Sequence, residues 1–492
     1  MKSIYIIWII LPFLMIHPVS RRLPGSTNCN SSFNEPYNKN EKIYSKQELT
    51  KDSRELLHYL ETMHPDPYYY SGGKVEFHRK FQAVLQSIPS EGMSKDEYIR
   101  LIRPLIASIS DGHTRIVSRY DYDPSNPGGL PFTLGSVEKD IYIISVPSEE
   151  YKNLHGSRIL SVEGVPVKTI MKRLYSYQGI ENDYHALLLL KRYLRIKPYL
   201  SDLLPEWKNK THINIEFLCK DGEKKQITFD LEKCEGIDDP GKSTSIVLPD
   251  TDKSYFNYGF LDKEKKTAVL KVDELTDYRE MFESIAAKRD ISKDLKPIYE
   301  RYNGEPAPDD QIKLIEGIPS AIELFKNMAV EMKESGTKNL IIDLSKNGGG
   351  NSLMSDILTY FLFGQDALVK MIESSSPVKK YSSTYFDIYD NISIEALNNE
   401  YSKIQNYKLT ENDYDFTTEK YVRLFSLGVI DTLTGLGIKY QSCPSLLNEI
   451  KDGSFNSYYL PENVIVTSSH NTFSSAFTFL RYMASSGAII VG

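Results

Sequence analysis

Pro461-Glu-Asn-Val-Ile-Val-Thr-Ser-Ser-His-Asn-Thr-Phe-Ser-Ser-Ala-Phe477 is the stretch on which the reading of this chain turns. Val464 to Val466 is a short apolar strand, the residues after it are small and polar, and Ser475 to Ser485 is compatible with a helix. A serine at such a strand-to-helix turn has its hydroxyl lifted out of the sheet. It also lies beside the unpaired N–H groups of a helix start, where negative charge is favoured. Ser474 is therefore the candidate nucleophile. The same residues would also be explained if Thr472 or Ser474 capped the helix.

Two distant segments bear on that choice. His113 follows a helix and sits in a tight Asp-Gly turn, Ser110-Asp-Gly-His-Thr114. Histidines in such places are often structural, but an imidazole is suited to taking a serine proton at neutral pH. Leu340 to Leu344 reads as a buried strand ending in Lys346-Asn-Gly-Gly-Gly350. Glycines there let backbone approach closely, and their N–H groups can face a developing oxyanion. A phosphate loop is excluded because no Gly-Lys-Ser/Thr continuation follows.

In their order along the chain these segments, with Thr472-Phe-Ser-Ser-Ala476 and Gly487-Ala-Ile-Ile-Val-Gly492, resemble the tail-specific protease family. That family includes the carboxyl-terminal-processing and tricorn-like serine peptidases and the interphotoreceptor retinoid-binding repeats. The resemblance extends to His64-Pro65 at a helix end and covers about residues 50 to 492. It implies an α/β fold: a crotonase/ClpP-like βα-layered catalytic domain, an N-terminal helical region and a divergent PDZ-like β-rich domain. It implies peptide-bond hydrolysis by Ser474 with His113 as base, and an oxyanion held by N–H groups of Gly348, Gly349 and Ser475. Histidine at position 113 is similar to the Ser/His branch rather than the Ser/Lys branch. The family's third catalytic residue would lie beyond Gly492, so the resemblance implies a C-terminally incomplete catalytic domain. It also leaves open a catalytically silent member that binds peptides or an apolar ligand.

The rest of the sequence agrees with a secreted globular protein. Lys2 precedes an apolar run from Ile4 to Ile16 that is short for a bilayer span but suits a secretory leader. A retained anchor is the alternative. Asn30-Ser-Ser, Asn209-Lys-Thr and Asn391-Ile-Ser are sequons, and Cys29, Cys219, Cys234 and Cys443 permit disulfides in an oxidising compartment. The Asp221-Gly222 hairpin places Cys219 and Cys234 out of register, which argues against that pair. A net charge of −7 gives no general attraction to nucleic acid, and the substrate expected is a peptide or unfolded protein. No cysteine spacing suggests a metal site, and neither metal nor organic cofactor is expected.

The expected organisation is a leader over 1–20, a disordered stretch over 21–45 and a helical region over 46–129 carrying Asp-Gly-His-Thr. A PDZ-like domain over 130–234, a linker over 235–255 and the catalytic domain over 256–492 follow. No stable membrane span is expected once the leader is removed. Segments 277 to 315 and 365 to 445 read as long irregular insertions.

Overall fold

The computed structural model describes residues 7–9, 42–116, 130, 132–146, 149–207, 210–231, 249–251, 254–286, 290–374, 378–389, 393–401, 408–415 and 459–492. Past residue 20 the chain divides into two compact units, Arg21–Ser243 and Thr244–Gly492. The expected 235–255 linker spans that division. Cys219, the one cysteine among the described residues, is a buried thiol. The sequons at Asn30, Asn209 and Asn391 and the other cysteines lie outside the described residues.

The first unit begins with three helices, α1 (Lys46–Met63), α2 (Lys74–Ser87) and α3 (Lys95–Ala107). Ser45 and Ser94 cap α1 and α3, each in a reciprocal pair with the glutamate three residues on, Glu48 and Glu97. Leu56, Leu60, Phe77, Phe81, Tyr98, Ile102 and Ile106 fall on helical spacings and are buried together. Ile43–Tyr44, at the end of the stretch expected to be disordered, pairs antiparallel with Met93–Ser94, and the first helix starts at Lys46. Ile7–Ile9 pairs in the same sense with Thr114–Ile116.

The rest of this unit is an antiparallel sheet of β1 (Thr133–Val137), β2 (Asp140–Ser145), β3 (Arg158–Val162), β4 (Val165–Pro166), β5 (His212–Leu218) and β6 (Lys224–Asp230). The strand order is β6-β5-β3-β2-β1, with β4 on β3. Ile213, Ile215 and Phe217 alternate into the core, where α4 (Val167–Leu174), α5 (Asp183–Tyr193) and α6 (Lys197–Leu203) supply the other face. Lys224 pairs with Leu218 around Asp221-Gly222, the hairpin the sequence suggests.

The second unit is built on the five-stranded sheet β7 (Phe256–Phe260), β8 (Thr267–Val272), β9 (Asn339–Asp343), β10 (Asn463–Thr467) and β11 (Ile489–Val491). Neighbours follow that order. β7 is antiparallel to β8, and the remaining pairs are parallel. β8 is buried from Ala268 to Val272, and β9 buries Leu340 and Ile342 while Asn339, Ile341 and Asp343 are half-buried. The covering helices include α10 (Ala321–Ser335), α11 (Leu353–Ser374, broken at Gly364) and α14 (Ser475–Ser485).

Segment 277–315 is a correction: it holds α7 (Arg279–Ala286), α8 (Ser292–Asn303) and α9 (Gln311–Glu316) rather than irregular chain. Segment 365–445 contains α12 (Ser383–Ile388) and α13 (Ile394–Tyr401), and residues 416–445 of it lie outside the described residues. Glu280 on α7 is fully buried and caps α10, accepting from the Ser320 hydroxyl at 2.5 Å, Ala321 N–H at 3.0 Å and Ile322 N–H at 3.2 Å. Glu280→Ala would strand those donors in an apolar surround. We expect a loss of about 3 kcal/mol in urea unfolding, with Glu280→Gln losing distinctly less.

Candidate active site

β9 and β10 run parallel with Asp343 opposite Thr467, so the loops leaving their carboxyl ends emerge side by side. One loop is the glycine turn and the other carries Ser474. Thr467 Oγ1 donates to Asp343 Oδ1 at 2.7 Å and Thr472 Oγ1 to the Leu344 carbonyl at 2.9 Å, tying the two loops at their roots. Asn347 joins them further out. Its carbonyl accepts from Phe473 N–H at 3.2 Å, and its buried amide donates to the Val272 carbonyl at 3.0 Å. The sequence reading passed over Asn347, though an Asn just before three glycines is a turn signal.

Ser474 itself has φ 54° and ψ −126°, a backbone conformation that glycine adopts and other residues occupy at a cost of about 1–3 kcal/mol. It stands at the N-cap of α14, but its side chain makes no capping hydrogen bond. Thr472 spends its hydroxyl on Leu344 and on accepting Ser469 N–H at 3.0 Å. Capping therefore does not account for either residue. A strained serine on a sharp strand-to-helix turn is the arrangement that exposes a nucleophilic Oγ.

The turn opposite makes close approach compulsory. A Cβ on Gly349 (φ +109°) would lie 2.8 Å from Ser474 Cβ and 2.9 Å from the Phe473 carbonyl oxygen. One on Gly350 (φ +135°) would lie 2.2 Å from the Leu275 carbonyl oxygen. Ser475 Oγ donates to the Gly350 carbonyl at 2.7 Å, closing the turn against the helix start. Gly349 and Gly350 are thus brought against Ser474 and Ser475, with Gly348 preceding them in the turn. The Gly349 N–H, however, donates to Asn347 Oδ1 at 2.9 Å. Of the three N–H groups assigned to an oxyanion, it is the one already engaged.

His113 belongs to the first unit. At the end of α3 the chain reverses through Ser110, at φ +55°, into the turn closed by Thr114 N–H on the Asp111 carbonyl at 3.1 Å. His113 N–H donates to Asp111 Oδ1 at 3.0 Å, and its side chain is only 14% exposed. The Asp111 carboxylate is the hub of this turn. Its Oδ2 accepts from the Thr114 hydroxyl and lies 3.4 Å from His64 Nε2, while His113 Nδ1 lies 3.7 Å from its Oδ1. His64 Nδ1 accepts from Asp66 N–H at 3.1 Å, so a neutral His64 carries its proton on Nε2, toward Asp111. Burial pushes the Asp111 carboxyl up. The neighbouring rings of His113 and His64, together with hydrogen bonds from Thr114 and from His113 N–H, outweigh it and hold the group ionised well below the usual carboxylate range.

Gly179 allows a second segment to reach this turn, since a Cβ there would lie 2.4 Å from the Asp111 carbonyl oxygen. Two residues on, Glu181 Oε1 accepts Gly112 N–H at 3.0 Å. Asp111, His113 and Glu181 consequently offer ligand atoms within 4.8 Å of one another, a set able to hold a metal ion that cysteine spacing gave no hint of. His185, one turn into α5, is pushed down to about 4 by burial, then by the charges of His113 and Arg115. Its folded value lies below its unfolded one near 6.5, so its contribution is intact above that pH and declines as pH falls toward 4. Comparing urea midpoints at pH 7 and pH 5, His185→Gln should remove about 2 kcal/mol of the wild type's acid sensitivity.

No protein-family description matches the chain, and no curated protein matches it. Among solved structures it is similar to mature CPAF at 13% identity and a TM-score of 0.46, covering 91% of this chain and 83% of that one. Mature CPAF complexed with lactacystin aligns at 14% identity and a TM-score of 0.45, covering 91% and 84%. A photosystem II D1 C-terminal processing protease aligns at 10% and 0.34, covering 91% and 81%.

Proposed function

We propose that the chain is a serine-type endopeptidase acting on extended or unfolded polypeptide. The observation that carries this reading is Ser474, held at φ 54° on the strand-to-helix turn without a capping bond. Such strain is kept where a hydroxyl must be presented rather than buried. Ser474 Oγ attacks the substrate carbonyl carbon as His113 takes its proton. The oxyanion is held by the N–H groups of Ser475 and Gly348, the donor of Gly349 being engaged by Asn347. His113 then returns the proton to the leaving amine, and water releases the acyl group by the same route. Asp111 fixes the His113 backbone and lends it a negative neighbour. The apolar run Ile4–Ile16 supports export through a cleaved leader, which makes the secretory lumen or the exterior the proposed compartment.

The test is labelling of the full chain with a diphenyl phosphonate and location of the adduct by mass spectrometry. Modification on Ser474, lost in His113→Ala, is the expected result. Labelling elsewhere, or unchanged labelling in His113→Ala, would remove the dyad.

A further inference from the structure

The contact between Asp111 and His113 is odd as a hydrogen bond. At 3.7 Å, Nδ1 and Oδ1 are too far apart for one, yet they face each other in a largely buried turn. A tetrahedral zinc ion with ligand bonds of about 2.1 Å sets its ligand atoms about 3.4 Å apart. The observed separation is close to that edge, and Glu181 completes a set of three residues whose ligand atoms all lie within 4.8 Å of one another. The ligands are of the types zinc takes, one imidazole and two carboxylates. Each carboxylate is held from its other side: Asp111 Oδ2 by Thr114 and His64, Glu181 Oε1 by Gly112 N–H. Asp111 Oδ1 accepts His113 N–H at 3.0 Å and keeps a second lone pair for the ion, while the bond made by Glu181 Oε1 orients its Oε2, as outer-shell bonds do around metal ligands.

We infer that Asp111, His113 and Glu181 form a binding site for a zinc-class divalent cation that switches the enzyme off. The binding part stands on this turn alone, and the inhibitory part rests on His113 being the base. Zinc on Nδ1 leaves the ring's single proton on Nε2, so that nitrogen has no lone pair to receive a serine proton. Water completes the fourth position. No bond of the protein is made or broken, so a chelator reverses the inhibition.

The experiment is titration of the full chain with zinc chloride by calorimetry, beside Glu181→Gln, which keeps the acceptor for Gly112 N–H. One ion per chain should bind, and Glu181→Gln should weaken it at least about tenfold. Cobalt chloride should give a tetrahedral visible spectrum in the wild type and not in the variant, which reads the site independently of variant stability. Zinc should also stop phosphonate labelling of Ser474 in the wild type, EDTA should restore it, and Glu181→Gln should label normally in zinc. Absence of zinc binding, or equal binding by Glu181→Gln, would overturn the site. Binding without loss of labelling would overturn the inhibition, whereas a wild type that never labels, even in EDTA, counts against the peptidase reading and leaves the isotherm to judge the site.

Discussion

Ser474→Ala should lower kcat on an unfolded protein substrate by about 10³-fold or more while leaving KM within a few-fold, because it removes the attacking atom and leaves the binding surface intact. Ser474→Gly should lose as much activity but melt at a higher temperature than the alanine variant. Both delete the hydroxyl, yet glycine occupies φ 54°, ψ −126° freely while alanine keeps the strain. A difference of about 1 kcal/mol corresponds to about 2–4 °C for a unit of this size. Full activity in Ser474→Ala would dismiss the nucleophile. An alanine variant melting at or above the glycine one would dismiss the strain account even if activity is lost.

Gly350→Ala should be the most damaging single methyl in the second unit. Its Cβ would fall 2.2 Å from the Leu275 carbonyl oxygen, and the residue also needs φ +135°. Leu275 cannot retreat cheaply, because its N–H donates to the Gly349 carbonyl at 3.0 Å and its own carbonyl accepts Asn351 N–H at 2.6 Å. Backbone strain and overlap together imply a loss of more than about 3 kcal/mol in urea unfolding. Gly349→Ala should be similarly severe and should abolish phosphonate labelling, since its methyl would collide with Ser474 Cβ. Gly348→Ala is the control: nothing lies within 4 Å of its Cβ position, so it should stay within about 1 kcal/mol of wild type. If all three variants unfold alike, the turn is merely sensitive to side chains and has no special relation to the serine.

The elements that carry the site were legible because their signals are local. Ser475–Ser485 is helical over the span its composition suggests, and Val464 to Val466 lies within β10. Leu340 to Leu344 lies almost wholly within β9, and the Asp221-Gly222 hairpin pairs as its turn chemistry requires. The helices between 277 and 315 were missed for a definite reason. α7 has only eight residues, and α8 contains Pro297 and buries little besides Leu295. Such helices depend on tertiary packing more than on apolar periodicity. Their caps were nevertheless in view: Gly304 in a left-handed conformation ends α8, and Asp310 starts α9 by accepting from Ile312 and Lys313.

Within the candidate site, Ser474 and the glycine turn could be chosen from residue order because a strand end, a small-residue turn and a helix start are each written within a few positions. That the Gly349 N–H is spent on Asn347, and that Gly349 and Gly350 differ from Gly348 in what they touch, depends on two parallel strands ending in register. The company of His113 is more remote still. Asp111 lies two residues before it in sequence, but His64 arrives from the end of α1 and Glu181 from the approach to α5. Short-range torsional preference and apolar spacing set which segments become strands, turns and helices, so the sequence alone determined where a nucleophile could stand. Which carboxylates and imidazoles surround the histidine follows from how those segments pack, a non-local outcome no window of sequence contains, and only the tertiary structure decided it.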